Sequence, residues 1–136
     1  MSRPQSPHPL VGLHGFSDAP SCMHPFLAAL GVEDAVTPAL VAHDGRPMPA
    51  GLAFADDVLV ADAREAVADV VRSRGAPVVL LGHSLGASTA AGVAATAPHL
   101  VRALVLEDPP WQLPDSPEGT SEADRAAEAE NSHRPW

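Results

Sequence analysis

The sequence contains no lysine, and its eight basic residues are all arginines. These arginines are scattered along 136 residues without forming a basic run, whereas 17 acidic residues give a net charge of about −9. Nucleic acids and anionic membrane surfaces attract clustered positive charge. We therefore expect neither kind of partner, and we interpret the acidic balance as a contribution to solubility.

Cysteine and long apolar runs are also scarce. Cys22 is the single cysteine, so no intramolecular disulfide can form, which fits a reducing cytoplasm. The first 15 residues lack the apolar stretch of a signal peptide, and no run reaches the length of a membrane span. We expect a cytoplasmic protein.

Two common kinds of functional site lack their sequence signatures. The seven histidines show no H-x-x-x-H or H-x-H spacing, so we predict no metal site. No G-x-G-x-x-G follows either early apolar run, which disfavours a dinucleotide-binding domain. His43 beside Asp44 is interpreted as a polar turn rather than an acid–base pair. We expect no cofactor.

The order of apolar segments predicts an α/β fold with one core. Hydrophobic residues make up 46% of the chain, short aliphatic runs predict strands, and apolar residues at helical spacing predict helices. In chain order, the predictions are a strand (10–13), a helix (22–30), a strand (35–42), a helix (55–74), a strand (78–81), a helix (85–97) and a strand (101–106). This alternation predicts a parallel sheet of about four strands with flanking helices.

The two ends of the chain differ in composition from the segment between them. Residues 1–9 are rich in proline and are predicted to form a loose leader, whereas residues 10–111 are predicted to form the α/β core. From residue 112 onwards, large apolar side chains become rare. We predict that residues 112–136 begin a lid or remain an exposed tail.

The most informative stretch is Gly82-His83-Ser84-Leu85-Gly86, which fits the pattern G-x-S-x-G. It lies between an aliphatic run and a helix of small residues, as expected of a nucleophilic serine on a strained strand-to-helix turn. Glycine at both ends avoids collision with neighbouring elements. The first N–H groups of the helix could stabilise an oxyanion at the serine. A glycine–serine turn without chemistry is the alternative interpretation.

A second motif, His14-Gly15-Phe16, follows the first predicted strand. A loop at this position can present a backbone N–H to the same oxyanion. We predict the N–H groups of Phe16 and Leu85 as the two donors. The alternative is a glycine turn beside a structural His14.

Asp108 follows the last predicted strand. The carboxyl ends of parallel strands share one rim of a sheet, so Asp108 is expected on the rim that carries Ser84. It is a candidate for the acid of a catalytic triad, and its alternative role is to cap the following loop. The histidines downstream of Ser84 are His99 and His133, and His133 stands in a polar tail.

The order of these motifs resembles the α/β-hydrolase family over about residues 10–111. The resemblance is carried by His14-Gly15-Phe16, by the G-x-S-x-G stretch and by the sequence from Val105 to Pro110. It implies a serine hydrolase acting on a small-molecule carboxylic ester or a related acyl bond. It also implies that Ser84 is the nucleophile, that Phe16 and Leu85 form the oxyanion hole, and that a cap begins near residues 123–130. His14, Gly15, Gly82, His83 and Gly86 would support these loops.

The chain departs from this family in length. Family members are about twice as long, and their histidine follows a final strand. Their acid usually follows the next strand, but some members place it where Asp108 stands. We therefore predict the N-terminal half of a hydrolase, with impaired activity. The strand at 101–106 would be an unpaired aliphatic edge, which favours self-association or binding of a missing C-terminal half. The alternative function is a non-catalytic half-domain that associates through this edge.

Overall fold

The computed structural model describes residues 7–110, which form a three-stranded parallel sheet with helices on both faces. The elements are β1 (Leu10–Leu13), α1 (His24–Ala29), α2 (Asp56–Arg74), β2 (Val78–His83), α3 (Leu85–Thr96) and β3 (Val101–Glu107). Short 3-10 turns at Pro20–Met23 and Pro98–Leu100 precede α1 and β3. The strand order β1-β2-β3 and the parallel pairing confirm the predicted α/β sheet.

The predicted strand at 35–42 does not form. Val36 makes a single parallel bridge to Val11, and no ladder continues from it. Pro38 has no backbone N–H, so it cannot extend the pairing. Leu40 and Val41 instead bury their side chains in the core from an irregular segment. The described sheet therefore has three strands rather than about four.

The main core lies on the face of the sheet covered by α2 and α3. Successive side chains of a strand point to opposite faces, and the inward set on this face comes from β1 and β2. The buried cluster includes Val11, Leu13, Val78, Leu80, Leu59, Ala63, Val67, Val70, Ala90 and Val93. Because burying one aliphatic side chain contributes about 1.5–3 kcal/mol, this cluster holds both helices on the sheet.

The opposite face is covered over β1 and β2 but not over β3. Met23 and Leu27 form a second buried cluster with Leu81 of β2. In β3, Val105 pairs with Leu81 and is 47% exposed on this face, and Leu104 pairs with Leu80 and is 37% exposed on the other face. Parallel strands are normally buried on both faces. In the described part of the chain, β3 is thus an exposed aliphatic edge, as the sequence predicted.

The helix α2 spans 19 residues and agrees closely with its predicted range. Asp56 and Asp57 lie in its first turn, and Arg72 and Arg74 lie in its last turn. This arrangement of charge complements the helix dipole. Of the helices within residues 7–110, none combines the length and the apolar character needed to cross a membrane.

Arg46 attaches the loop before α2 to that helix. Its guanidinium donates two hydrogen bonds to the carboxylate of Asp62, at 2.7 and 2.9 Å, and a third to the carbonyl of Ala39. The hydrogen bonds that Arg46 donates to Asp62 raise the pKa of Arg46 above its usual value. Because the pair is partly exposed, it contributes at most about 1 kcal/mol, but its bidentate geometry fixes the position of the loop.

The helices α2 and α3 approach each other closely at Gly92. A Cβ atom added to Gly92 would lie 2.4 Å from Cγ2 of Val60, well inside van der Waals contact. The valine branches at Cβ, so its methyl groups have little freedom to move aside. Glycine at position 92 therefore sets the distance between the two helices.

We predict that Gly92→Ala destabilises the protein by about 1–3 kcal/mol, the range for an overpacked core. In the background of Val60→Ala, the same substitution should cost much less, because the obstructing methyl groups are gone. Urea unfolding of the wild type, both single variants and the double variant measures this coupling. Alanine is the better helix former, so a stabilised Gly92→Ala would contradict the close packing.

Candidate active site

Ser84 connects β2 to α3 in a strained backbone conformation. Its φ of 50° and ψ of −116° lie outside the regions that non-glycine residues normally occupy. A serine at a helix N-terminus usually caps the helix with its hydroxyl, but the Ser84 side chain makes no capping bond. Its backbone N–H donates to the carbonyl of Glu107 at 2.9 Å. The hydroxyl is therefore left uncommitted at the start of a 12-residue helix.

The glycines on either side of Ser84 allow backbone to contact backbone. A Cβ atom at Gly82 would lie 2.2 Å from the carbonyl oxygen of Gly86. A Cβ atom at Gly86 would lie 2.2 Å from the carbonyl oxygen of Leu13 and 2.5 Å from that of His14. Any larger residue at either position would force the chain apart. The first turn of α3 consequently rests directly on the end of β1.

The loop after β1 reaches the serine at Gly15. A Cβ atom added to Gly15 would lie 3.5 Å from Cβ of Ser84 and 3.2 Å from Cδ2 of His83. The carboxylate of Asp18 lies at 3.0 Å from the same point. The motif around residue 15 and the motif around residue 84 therefore meet in space, although 69 positions separate them.

The two N–H groups predicted to bind an oxyanion lie on these two touching segments. Phe16 follows Gly15, and Leu85 is the first residue of α3. The first N–H groups of a helix have no partner within the helix. Among the backbone hydrogen bonds of turns and caps within residues 7–110, none is donated by the N–H group of Phe16 or of Leu85. This arrangement is compatible with a pair of donors that converge beside Ser84.

His14 is fully buried beneath the loop. Its Nε2 accepts the N–H of Leu40 at 3.0 Å, so Nδ1 carries the proton and donates to the carbonyl of Gly15 at 2.9 Å. Burial lowers the pKa of His14 below its usual 6.5. With both nitrogens engaged and the ring neutral, His14 orients the loop and is not placed to act as a base.

His83 and Glu107 border an open cavity beside the serine. The cavity has a volume of about 280 Å³ and is lined by Asp18, Cys22, Met23, Pro25, Phe26, His83 and Glu107. Nδ1 of His83 lies 3.3 Å from Oε2 of Glu107, but without hydrogen-bond geometry. Because both side chains are well exposed, this pair adds little stability. Carboxylates and apolar side chains together form the walls of the cavity.

Asp108 lies on the same rim of the sheet as Ser84. Glu107 pairs in register with His83, and these two residues are the last of β3 and β2. Asp108 and Ser84 are therefore the first residues after the two strands. Asp108 has a positive φ of 46°, close to that of Ser84. Its side chain is exposed. The structure thus brings the predicted acid to the strand end beside the predicted nucleophile.

The hydrogen bonds of His14, His24 and His43 go to groups other than the hydroxyl of Ser84. His14 and His43 bond to backbone groups, and His24 lies beside Thr37. His99 precedes β3; since the seven residues of this strand rise about 3.3 Å each, His99 lies on the opposite rim from Ser84. His99 is therefore not placed beside Ser84. His133 lies outside the described residues, as does the predicted lid or tail at 112–136.

Three rings that the sequence did not reveal as neighbours form a cluster, which we call the aromatic cluster: Phe16, His43 and Phe54. The ring centroids of Phe16 and His43 are 5.7 Å apart, and each of these rings lies 6.1 Å from Phe54. His43 is buried, although we interpreted it as part of a polar turn. The three residues come from separate loops, so no local sequence pattern could have revealed the cluster.

Comparison with known proteins supports the resemblance seen in the sequence. The model of the alpha/beta hydrolase family matches residues 10–136. No curated protein matches the chain.

Several solved structures with similar folds are described as hydrolytic proteins. A probable hydrolytic enzyme from Pseudomonas aeruginosa PAO1 is 22% identical with a TM-score of 0.63, over 76% of this chain and 33% of that one. A thioesterase domain from the curacin biosynthetic pathway is 22% identical with a TM-score of 0.63, over 96% of this chain and 48% of that one. A membrane phospholipase A described as a bacterial virulence factor is 24% identical with a TM-score of 0.64, over 90% of this chain and 38% of that one. The chain spans between a third and half of the length of these structures, and at these identities the likeness shows the fold alone.

We predict that the folded protein loses stability on acidification because of His14. The unfolded chain takes up a proton near pH 6.5, whereas the pKa of buried His14 is lower. Below that pH the unfolded state binds more protons, so the free energy of unfolding falls as the pH drops towards the folded-state pKa. Urea unfolding between about pH 8 and pH 5 should show a steeper fall for the wild type than for His14→Asn.

Asparagine at position 14 offers a donor and an acceptor but does not titrate. His24→Asn serves as the matched control, since His24 is exposed at the start of α1. An identical pH profile in the wild type and in His14→Asn would show that His14 does not control the acid response.

Proposed function

The chain belongs to the alpha/beta hydrolase family, and on that premise we propose that it carries the nucleophile half of a serine hydrolase acting on a carboxylic ester or a related acyl bond. The observation that carries the proposal is the conformation of Ser84 at a helix N-terminus, where its backbone is strained and its hydroxyl does not cap the helix. A structural turn gains nothing from this strain, which costs about 1–3 kcal/mol. A nucleophile needs it to project above the sheet.

In the proposed reaction, Oγ of Ser84 attacks the carbonyl carbon of the substrate. The carbonyl oxygen takes up the negative charge and accepts hydrogen bonds from the N–H groups of Phe16 and Leu85. The dipole of α3 adds to this stabilisation, because its positive end faces the oxyanion. His14 and Gly15 support the donor at Phe16. Removing one such donor typically lowers kcat by about 100- to 1000-fold.

The proton of the Ser84 hydroxyl must pass to a base, and we propose Asp108 as the acid that orients this base. We propose that the base lies outside residues 7–110, with His133 as one candidate. Members of a triad act as a unit, so the loss of one reduces activity by orders of magnitude. We therefore propose that the chain alone hydrolyses substrate slowly.

The proposed substrate class follows from the carbonyl chemistry. The thioesterase domain and the phospholipase with similar folds are named for cleaving thioester and ester bonds. Both bonds are cleaved when a nucleophile attacks an acyl carbonyl. A small molecule with an activated acyl group fits the site, and no metal or organic cofactor takes part in the steps proposed.

A second candidate function is favoured by the exposure of β3. Leu104 and Val105 are partly open to solvent on an edge strand, and an exposed edge is a template for pairing with another strand. We propose, as the alternative, a half-domain that associates through β3 and has no chemistry at Ser84.

We predict that the purified 136-residue chain reacts with a short p-nitrophenyl ester through Ser84. With His133 acting as the base, Ser84→Ala should lower the rate of p-nitrophenol release by at least about 100-fold. Mass spectrometry of the intact chain, treated with a fluorophosphonate, should find one adduct on the peptide that contains Ser84. Ser88→Ala is the matched control, because its hydroxyl donates to the carbonyl of Leu85 one turn away. Equal rates in the wild type and Ser84→Ala, without an adduct, would contradict the nucleophile.

We predict for the alternative function that Val105→Lys weakens self-association, since a lysine on an edge strand blocks pairing. Sedimentation velocity over a range of concentrations measures the association constant. Leu30→Lys is the control, because Leu30 is equally exposed but lies outside the sheet. A wild-type chain that stays monomeric at every concentration would refute association through β3.

A further inference from the structure

The aromatic cluster lies open to solvent beside the proposed nucleophile. The side chains of Phe16 and Phe54 are 65% and 45% exposed. The chain has three phenylalanines and no tyrosine, so two of its three phenylalanines stand in this one place. Exposing large rings forgoes the stabilisation that burial would give. Grouped apolar exposure of this kind marks a binding surface.

The cluster has a rigid base. His43 is 7% exposed, and its Nδ1–H donates to the carbonyl of Val41 at 2.9 Å, so its ring orientation is fixed. Its ring centroid lies 5.2 Å from that of His14, which is held in turn by Leu40 and Gly15. The rings of Phe16 and Phe54 therefore rest on a support that belongs to the same loop system as the proposed oxyanion hole.

The cluster is continuous with the proposed site. Phe16 directly follows Gly15, the residue whose added Cβ would lie 3.5 Å from Cβ of Ser84. The N–H of Phe16 is the proposed oxyanion donor, and its ring points into the cluster. A substrate whose carbonyl lies at Ser84 would thus have one of its substituents within reach of the three rings.

Two carboxylates lie next to members of the cluster along the chain or in space. A carboxylate oxygen of Asp18 lies 3.0 Å from a Cβ atom added to Gly15, the residue before Phe16, and Asp44 directly follows His43. Arg46, the cation nearest in sequence to His43, has its guanidinium engaged by Asp62. The chain as a whole carries about −9 charges and no lysine. An anionic substituent would be repelled here, whereas an uncharged apolar one would not.

We propose that the aromatic cluster binds an uncharged, apolar acyl substituent of the substrate, so that the site selects neutral aryl or alkyl acyl groups against anionic ones. This inference rests on the proposed hydrolase function and narrows its substrate class. Edge-to-face contact with the rings of Phe16 and Phe54 supplies the attraction, and the nearby carboxylates supply the discrimination.

The test compares two methyl ketones, benzylacetone and 4-(3-oxobutyl)benzoate, the carboxylate ligand. Neither can be hydrolysed, and the second differs from the first only by a carboxylate on the phenyl ring, the part that would contact the cluster. Dissociation constants for the full chain are measured by NMR titration at low salt. Benzylacetone should bind at least about tenfold more tightly than the carboxylate ligand, and the difference should shrink as salt screens the charges.

Phe54→Ala identifies the surface. This substitution should weaken binding of benzylacetone at least about fivefold, because it removes one ring of the cluster. Leu52→Ala is the matched control, since Leu52 is 52% exposed in the same loop and lies outside the cluster; it should change the affinity less than about twofold. Phe54 is partly exposed, and circular dichroism verifies that both variants fold.

The outcomes separate this inference from the proposed function. Binding of benzylacetone should persist in Ser84→Ala, because the cluster does not need the nucleophile. Esterase activity without an effect of Phe54→Ala would overturn the inference and leave the proposed function intact. Binding of benzylacetone through Phe54 without any reaction at Ser84 would overturn the proposed function and leave the binding surface intact. If another polypeptide segment or a second copy covers the rings, neither ligand binds, and the inference is overturned.

Discussion

The site depends on a contact between two backbones, where the first turn of α3 rests on the end of β1. Gly86 meets the carbonyls of Leu13 and His14 so closely that no Cβ atom fits between them. This contact fixes Ser84 against the loop at Gly15, and therefore sets the distance between the two segments that would share an oxyanion. The strained φ of Ser84 is maintained because the surrounding sheet and helix leave the turn no alternative.

The fold was largely predictable because its signals are local. Aliphatic runs and helical spacing located β1, α2, β2, α3 and β3 to within a few residues. The segment at 35–42 misled, since apolar residues that enter a core from an irregular loop look like a strand in sequence. Pro38 was the signal against it. The sequence alone could not show where such a segment would bury its side chains.

The candidate site was predictable in part, for a different reason. The pattern around Ser84 and the motif at His14 are read from consecutive residues, and parallel topology brings their strand ends to one rim. The aromatic cluster was not predictable, because Phe16, His43 and Phe54 meet only through tertiary packing. A base was not predictable either, because neither motif specifies which histidine would lie beside Ser84.

The hydrogen bond from the N–H of Ser84 to the carbonyl of Glu107 joins the turn at the serine to the last strand. β3 is the least covered element of the sheet, so it is the one that opens most readily. Each opening of β3 releases the tether on Ser84 and lets its backbone relax. The conformation of the turn at Ser84 and the pairing of β3 are thus linked equilibria, and any protein segment that stabilised β3 would also stabilise the strained turn.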